Sequence, residues 1–374
     1  MPRVWDVPVR DSTRVRDARV AAEQAAALAG LDEGRTASAA LVATELATNL
    51  LKHAEDGQVL VDVVAPPDLP AGRGAPRVVQ IVAIDHGPGI ADVARARRDG
   101  FSTAGSLGAG LGTCLRVADD FGLHSTPGRG TVALARVGPA VRDVRSAYDA
   151  PRGARDGRTG AVTDARPSSG PPGGVRAGGV NVPLGAAEYS GDAWAWVRSG
   201  DLLTLMLADG LGHGPEAARA STAAVAALRE AAGLPPGEVL RRLDAALSGT
   251  RGAAVAVARV DTRTGRLRFA GVGNVGARLC EDGTWRHLTS RPGIIGVHRH
   301  ATLREEETGW GPGRLLIMHT DGLPSRWTPP SDARLWEADP AVTAAVTIRD
   351  AGSRARPVRD DTAVAVLSAG PVAT

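Results

Sequence analysis

Glu45-Leu46-Ala47-Thr48-Asn49 places a carboxylate and a carboxamide four residues apart, on one face of a helix. About forty residues downstream, Asp85-His86-Gly87-Pro88-Gly89 sets an acid among glycines, a second polar wall with room for a flat ligand. The pair predicts a nucleotide site. Asn49 offers a side-chain carbonyl of the kind that magnesium takes beside phosphate oxygens and water. Glu45, one turn earlier, is placed to take a proton from an attacking hydroxyl. Asp85 can accept a hydrogen bond from an exocyclic amine, which selects adenine. Gly87 and Gly89 remove side chains where the base must enter. The run Gly105-Ser106-Leu107-Gly108-Ala109-Gly110-Leu111-Gly112 then opens a helix, and its glycines let backbone amides close around phosphates. Taken singly, Glu45 and Asn49 read as a polar helix face and the glycines as a loop; the order ExxxN, DxGxG, GxGxG carries the signal.

Working outward, Asp11 and Ser12 can cap a helix over Thr13 to Ala29 that Gly30 ends, and a second helix runs from Thr36 to His53. Lys52 and His53 suit the end of that helix as solvated cations. Val59 to Val64 alternates like a strand. Val78 to Ile84 is nearly continuous in apolar residues, the pattern of a strand buried on both faces. Pro66 to Pro76 is a Pro/Gly-rich loop, Leu111 to Asp120 a helix, and Gly130 to Val137 a closing strand. Gly138 to Gly179 is dense in Gly, Pro, Arg, Asp and Ser without apolar periodicity, which predicts a flexible linker. The expected domains are therefore 1–137 and 177–374, joined by 138–176.

The second half carries its own acidic constellation. Ala193 to Val197 and Leu202 to Ala208 form a hairpin through Ser199-Gly200, which brings Asp192 and Asp209 to the same end. Pro215 opens an Ala-rich helix to Ala232, and another runs from Gly237 to Leu247. A second hairpin joins Ala253 to Val260 with Leu267 to Val272. Leu315 to His319 and Thr362 to Leu367 are further strands, the first followed by Asp321, the last preceded by Asp360 and Asp361. Any one Asp-Gly here reads as a turn. Four acids at strand ends read as carboxylates aimed at a common point, where only cations relieve their repulsion. All-oxygen ligation favours magnesium or manganese, and two such ions can activate a water against a phosphate. His213, in Gly212-His213-Gly214, is expected to make a structural hydrogen bond in a tight loop.

The bulk numbers bound the rest. A chain of 374 residues exceeds one ordinary core, so two domains are the default. Aromatics are only 3%, so the cores must be built from Val, Leu, Ile and Ala. The net charge of +3 is spread, with no basic stripe, which argues against nucleic acid. Cys114 and Cys280 lie in different halves and suit a reducing compartment. With no signal peptide and no apolar run of membrane length, a soluble cytoplasmic protein is expected.

Glu45 to Ala54, Asp85 to Ile90, Asp99-Gly100-Phe101-Ser102-Thr103 with the glycine run, and Gly128-Arg129-Gly130-Thr131 resemble the GHKL (Bergerat-fold) ATPases, and among them the RsbT-type switch serine/threonine kinases. Ser190-Gly191-Asp192, Ala208 to Gly214, Gly271-Val272-Gly273-Asn274, His319-Thr320-Asp321-Gly322 and Arg359 to Thr362 resemble the SpoIIE branch of the PPM-type metal-dependent protein phosphatases, particularly the compact RsbX-like ones. The first likeness spans residues 10–137 and the second 177–368. The implied fold class is α+β: a Bergerat α/β sandwich with helices on a mixed sheet, then a PPM-type α-β-β-α sandwich. The resemblance implies ATP and magnesium at the first site, with Asn49 as metal ligand, Glu45 as base, Asp85 as adenine reader, residues 105–112 (Gly108, Gly110 and Gly112 among them) as lid, and Thr131 supporting the adenine site. At the second it implies two manganese or magnesium ions, bridged by Asp209 and held by the Gly210 carbonyl, Asp192, Asp321 and Asp360, with Asp361 the lesser candidate. Asn274 stands where many relatives have Gly-His, and Pro324-Ser325 stand where many have an acid. The implied substrate is a Ser or Thr of a STAS-domain antagonist of an anti-sigma factor or of a stressosome-type protein, with a sigma-factor regulator as a further partner. Alternatives from the same residues are an RsbW-like anti-sigma factor fused to a phosphatase, and an ATP-gated binding module without turnover.

Overall fold

The computed structural model describes residues 3–65, 76–93, 107–140, 174–297, 303–352 and 360–369. The N-terminal half builds β1 (Trp5–Pro8), α1 (Ser12–Ala29), α2 (Glu33–His53), β2 (Gln58–Val64), β3 (Val78–Ile84), α3 (Leu107–Val117), β4 (Asp120–Thr126) and β5 (Gly130–Val137). Asp11 caps α1 by accepting from the Thr13 N–H at 2.8 Å, and Gly30 ends it with φ of 73°. Asp32 caps α2 through the Arg35 N–H. The sheet order is β1-β2-β3-β5-β4, and every pairing is antiparallel. That corrects the mixed sheet implied by resemblance: β4 and β5 form a hairpin, and α3 carries the chain across so that β5, not β4, meets β3.

One face of this sheet (Val59, Val61, Val79, Ile81, Ala83, Ala133, Ala135) packs against Ala- and Leu-rich stripes of α1 and α2. The alternate residues Leu60, Val82, Ile84, Val132 and Leu134 are also buried, but against the C-terminal half. The continuous apolar reading of Val78 to Ile84 is thus a strand covered twice, the second time by another domain.

The C-terminal half contains β6 (Val175–Val182), β7 (Asp192–Ser199), β8 (Leu202–Gly210), α4 (Pro215–Glu230), α5 (Pro236–Leu247), β9 (Ala253–Asp261), β10 (Arg266–Val272), β11 (Gly276–Glu281), β12 (Thr284–Leu288), β13 (Glu306–Gly309), β14 (Leu315–His319), α6 (Arg334–Glu337), α7 (Pro340–Ala351) and β15 (Thr362–Ala369). Two sheets, β13-β10-β9-β8-β7 and β12-β11-β14-β15-β6, stack through Leu203, Leu205, Leu207, Phe269, Leu316 and Leu367. Helices α4 and α5 cover the first sheet, and α7 covers the second. This is the expected α-β-β-α sandwich. Strand β6 begins at Val175, two residues inside the predicted linker.

Helix α7 is shared. Its residues Pro340 to Arg349 are all buried, because the N-terminal sheet lies on the side away from β6 and β15. The layers therefore run helices, sheet, α7, sheet, sheet, helices. Polar groups fix the register of this junction. The buried Arg136 guanidinium makes a two-pronged contact with Asp339, at 2.7 and 2.9 Å, and a third with Asp120 at 2.5 Å. Its Nε donates to Gln80 at 3.0 Å, and Gln80 donates onward to the Gly179 carbonyl. Burial alone lowers the Arg136 pKa, but Asp339 and Asp120 outweigh it and the net shift is upward. Burial alone raises Asp339, but Arg136 outweighs it and the net shift is downward. Asp339 also caps α7 by accepting from the Ala341 N–H at 2.8 Å.

Asp339→Ala is expected to destabilise the chain by about 3–5 kcal/mol in urea unfolding, because it leaves a buried guanidinium short of its main partner. Arg19→Ala, which removes a surface pair with Glu23 on α1, is expected to cost under about 1 kcal/mol. Equal costs would show that the junction is not buried in solution.

Candidate functional site

Glu45 and Asn49 stand on α2, Asp85 directly after β3, Gly87 and Gly89 in the turn that follows, and Thr131 on β5. They meet around a cavity of about 250 Å³, walled by Leu46, Asn49, Leu50, Ala83, Asp85, Ile90, Leu111, Leu123 and Thr131. The walls are mostly apolar and end in a few polar groups, the usual make-up of a small-molecule site. Asp85 is 8% exposed, and its Oδ1 accepts from the Gly87 N–H at 2.8 Å. The Thr131 N–H also faces this carboxylate. Burial pushes the Asp85 carboxyl up, while the Gly87 and Thr131 amides and the Arg349 charge oppose the rise. Thr131 meets the Ser125 hydroxyl at 2.9 Å, and Ser125 accepts from the Ile90 N–H at 2.7 Å. The buried Asn49 Nδ2 has no partner within the described residues. An orphaned amide beside a buried carboxylate is the polarity that a base and its phosphates satisfy.

The glycine run behaves differently from an open cradle. Gly108, Gly110 and Gly112 lie inside α3, which begins four residues before the expected helix. Residues 99–106 lie outside the described residues. A Cβ on Gly110 would stand 2.8 Å from Glu45 Oε2 and 3.2 Å from Asn49 Oδ1, so glycine here lets the α3 backbone approach that pair. Cys114, one turn on, is buried, and its thiol is pushed up to about 12 by burial and then by the Glu45 charge.

The second constellation forms at one end of the C-terminal sandwich. Asp192 and Asp209 are direct register partners across β7 and β8. Gly210 is the last residue of β8, Asp321 follows β14, and Asp360-Asp361 precede β15. Asp209 is pushed up to about 7, first by burial and then by the charges of Asp321, Asp360 and Asp361. Asp192, 2% exposed, is raised well above the carboxylate range by burial and by Asp209. Among the described residues no three acidic, His or Cys side chains are drawn up to hold an ion. Asp192 Oδ2 instead accepts from the Thr320 hydroxyl at 2.7 Å, and Asp321 Oδ2 from the Asn274 amide at 2.6 Å. The donor set is nevertheless all oxygen and mutually repelling, which fits hard divalent cations.

The two adjacent acids separate in role. Both oxygens of Asp361 are occupied, by the Leu184 N–H at 2.8 Å and the Gly191 N–H at 2.7 Å, so it ties the β6–β7 connection to β15. Asp360 is exposed, and its carboxylate accepts from the Asp361 N–H at 2.8 Å, which leaves its other oxygen facing outward. His213 departs from expectation: it is exposed and makes no hydrogen bond among the described residues, since the loop is closed by backbone contacts such as Leu211 N–H to the Gly252 carbonyl. Sequence reading assigned no role to Thr320, Asn181 or Ser190. Thr320 holds Asp192 and also accepts from the Ala363 N–H, while Asn181 and Ser190 bracket the Asp192 backbone. Thr320 and Ser190 flank motif acids, the one signal that pointed to them.

Residues 9–136 match the family model described as histidine kinase-like ATPase domain, and residues 199–369 match that of stage II sporulation protein E (SpoIIE). The serine/threonine-protein kinase RsbT of Bacillus subtilis is 43% identical over 88 residues, which are 24% of this chain and 61% of that protein. The chain therefore spans less than two thirds of that relative's length. A solved structure titled for the bacterial stressosome is 29% identical, covering 52% of this chain and 99% of its own, with a TM-score of 0.46. RsbX in complex with magnesium is 19% identical, covering 52% and 96%, with a TM-score of 0.45. Residues 9–136 thus resemble histidine kinase-like ATPase domains, and residues 199–369 resemble the SpoIIE domain. Such domains use ATP and divalent metal in general. No helix of the described residues is long and apolar enough to cross a membrane.

In EDTA at pH 8, Asp209→Asn is expected to melt at or above the parent, because it removes one of the repelling charges. Manganese should raise the melting temperature of the parent and leave that of Asp209→Asn nearly unmoved. A parent indifferent to manganese would refute the cluster as a cation site. Thr320→Val, which frees Asp192 to turn, is expected to weaken manganese binding by about 10–100-fold in titration calorimetry.

Proposed function

We propose that the chain is a two-way switch enzyme. Its N-terminal domain transfers phosphate from ATP to a Ser or Thr of a STAS-domain protein, and its C-terminal domain removes phosphate from that protein or a close relative. The observation that supports this most directly is the Asp85–Thr131–Asn49 cavity in one domain together with the strand-end carboxylates in the other. The match to RsbT favours the kinase branch over an anti-sigma factor.

In the first site the Asp85 carboxylate accepts from an adenine amine, while Leu46, Leu50 and Ile90 enclose the ring. Asn49 would hold magnesium, with its side-chain carbonyl as the ligand atom. Glu45, on the same face of α2, takes the proton from the incoming hydroxyl.

In the second site Asp209, Asp192, Asp321, Asp360 and the Gly210 carbonyl would hold two manganese or magnesium ions. Such ions, when bound, supply an activated water and neutralise the phosphate. Asp192 is kept in place by Thr320, and Asp361 holds the backbone loop from which Asp192 projects. Asn274 grips Asp321, which gives this position a positioning role in place of the Gly-His of many relatives. A STAS-domain antagonist of an anti-sigma factor, or a stressosome-type protein, presents a phosphorylatable Ser or Thr on a small folded surface and is the substrate class proposed.

With labelled ATP and candidate STAS proteins from the host, the parent should add phosphate. Asn49→Ala should lose that transfer and keep manganese-dependent dephosphorylation; Asp209→Ala should do the reverse. Transfer unaffected by Asn49→Ala, or hydrolysis undiminished in EDTA, would overturn the respective half.

A further inference from the structure

The nucleotide cavity belongs to the N-terminal domain, yet one of its supports comes from the other. Arg349, in the last turn of α7, has a side chain only 1% exposed. Its Nη1 donates to the Gly130 carbonyl at 3.1 Å, and its Nε pairs with Asp350 at 2.9 Å. The Arg349 carbonyl accepts in turn from His86 Nε2 at 3.0 Å. Asp350 also faces Arg129 across the junction at 3.6 Å. The contacts run both ways between the end of α7 and the two loops that carry Asp85 and Thr131.

Those loops leave little play. Gly130 has φ of 94°, and a Cβ there would lie 1.9 Å from the Asp85 carbonyl, so no other residue fits. The Asp85 N–H donates to the Thr131 carbonyl at 3.0 Å. The Gly130 carbonyl takes Arg349 from one side and the Ser125 hydroxyl, at 3.2 Å, from the other. Ser125 in turn meets Thr131 and the Ile90 N–H. A shift of Gly130 therefore moves Asp85, Thr131 and Ile90 together, and all three line the cavity.

We infer that Arg349 of the phosphatase domain is a positioning residue for nucleotide binding in the kinase domain, holding the Gly130 strand end so that Asp85 and Thr131 face the adenine ring. The charge acts in the same direction as the hydrogen bond. Arg349 opposes the rise that burial imposes on Asp85 and so favours the carboxylate, the form that accepts from an amine. The adenine-reading wall is thereby built by two domains, and nucleotide affinity depends on their being docked.

This inference rests on reading the cavity as a nucleotide site, and titration calorimetry of the full-length chain with MgATP and MgGTP separates the two. A parent that binds neither nucleotide removes both readings. If the parent binds ATP, Arg349→Gln is expected to weaken it by about tenfold, the scale of a lost charge-assisted hydrogen bond. Its preference for ATP over GTP should shrink, because Asp85 is the group that reads the base. Arg349→Lys, which keeps the charge and one donor, should recover affinity to within about threefold of the parent. Hydrolysis of p-nitrophenyl phosphate and a cooperative melt report that each variant is folded. ATP affinity in folded Arg349→Gln equal to the parent's overturns the inference, and so does a loss that Arg349→Lys fails to restore. Should Arg349→Gln not fold, Arg349→Lys against Arg349→Met on the same readouts decides in the same way; if only Arg349→Lys folds, parent-like binding with full ATP preference supports the inference and loss of that preference overturns it.

Discussion

A guanidinium removed from water must be met by carboxylates, and Arg136 is met from both domains at once. Asp120 comes from its own sheet and Asp339 from the start of α7, the latter by two near-parallel hydrogen bonds. A buried pair of this kind adds little net stability against an apolar replacement, since desolvation takes back most of the attraction. What it adds here is position. The surrounding contacts, Leu60, Val82, Ile84, Val132 and Leu134 against Val342, Val346 and Ile317, are non-directional, each worth about 1.5–3 kcal/mol of burial wherever it packs. The ion pair and the Gln80–Gly179 bond, with the Arg349 and His86 contacts at the other end of α7, distinguish one register of that apolar surface from another. Because Asp339 also caps α7, the same carboxylate sets where the helix starts and where the neighbouring domain sits.

The carboxylate cluster obeys the opposite logic. Asp192 and Asp209 are forced side by side because they face each other in a hairpin whose apolar residues specify the register. Leu203, Leu205 and Leu207 point into the sheet interface, so a one-residue slip would turn that row toward α4 and α5 and bring Thr204, Met206 and Ala208 into the interface. The core thus holds two acids together at a cost to itself, and Asp321, Asp360 and Asp361 raise that cost. A fold that keeps such a cluster is weakest where cations are scarce and gains most where they bind.

Much of both sites was legible because their chemistry is local in sequence. Glu45 and Asn49 share one helix face, Asp85 follows a strand whose apolar run is unmistakable, and Asp-Gly pairs mark the strand ends. The junction was not legible, for three physical reasons. Arg136 and Asp339 lie 203 residues apart, and no spacing rule links them. Helix α7, Pro-Ala-Val-Thr-Ala-Ala-Val-Thr-Ile-Arg-Asp-Ala, is mostly small residues buried on every side because it is covered on both faces, so its burial follows no single stripe; only Asp339-Pro340 marks its start. Strand β6, Val-Arg-Ala-Gly-Gly-Val-Asn-Val, reads as linker because of its glycines. Those glycines are there for packing: a Cβ on Gly178 would stand 2.8 Å from the Ala341 backbone, and one on Gly179 2.8 Å from the Trp194 ring. The edge strands β12 and β13 escaped notice because they are short and charged, as exposed edges are.

The docking also changes what residues 138–176 do. Read from composition, they tether two independent modules and set their local concentration by chain length. With α7 packed between the sheets, the separation of the two sites follows from Arg136, Asp339 and the apolar surface around them, not from the statistics of a flexible chain. A longer or shorter connection then alters little so long as it spans Val137 to Val175, because the loop-closure term grows only logarithmically with length. The register of β5 against α7 is held by Arg136 and Asp339. The two sites are thus connected through packed side chains at the junction, Arg136 with Asp339 and Arg349 with Gly130.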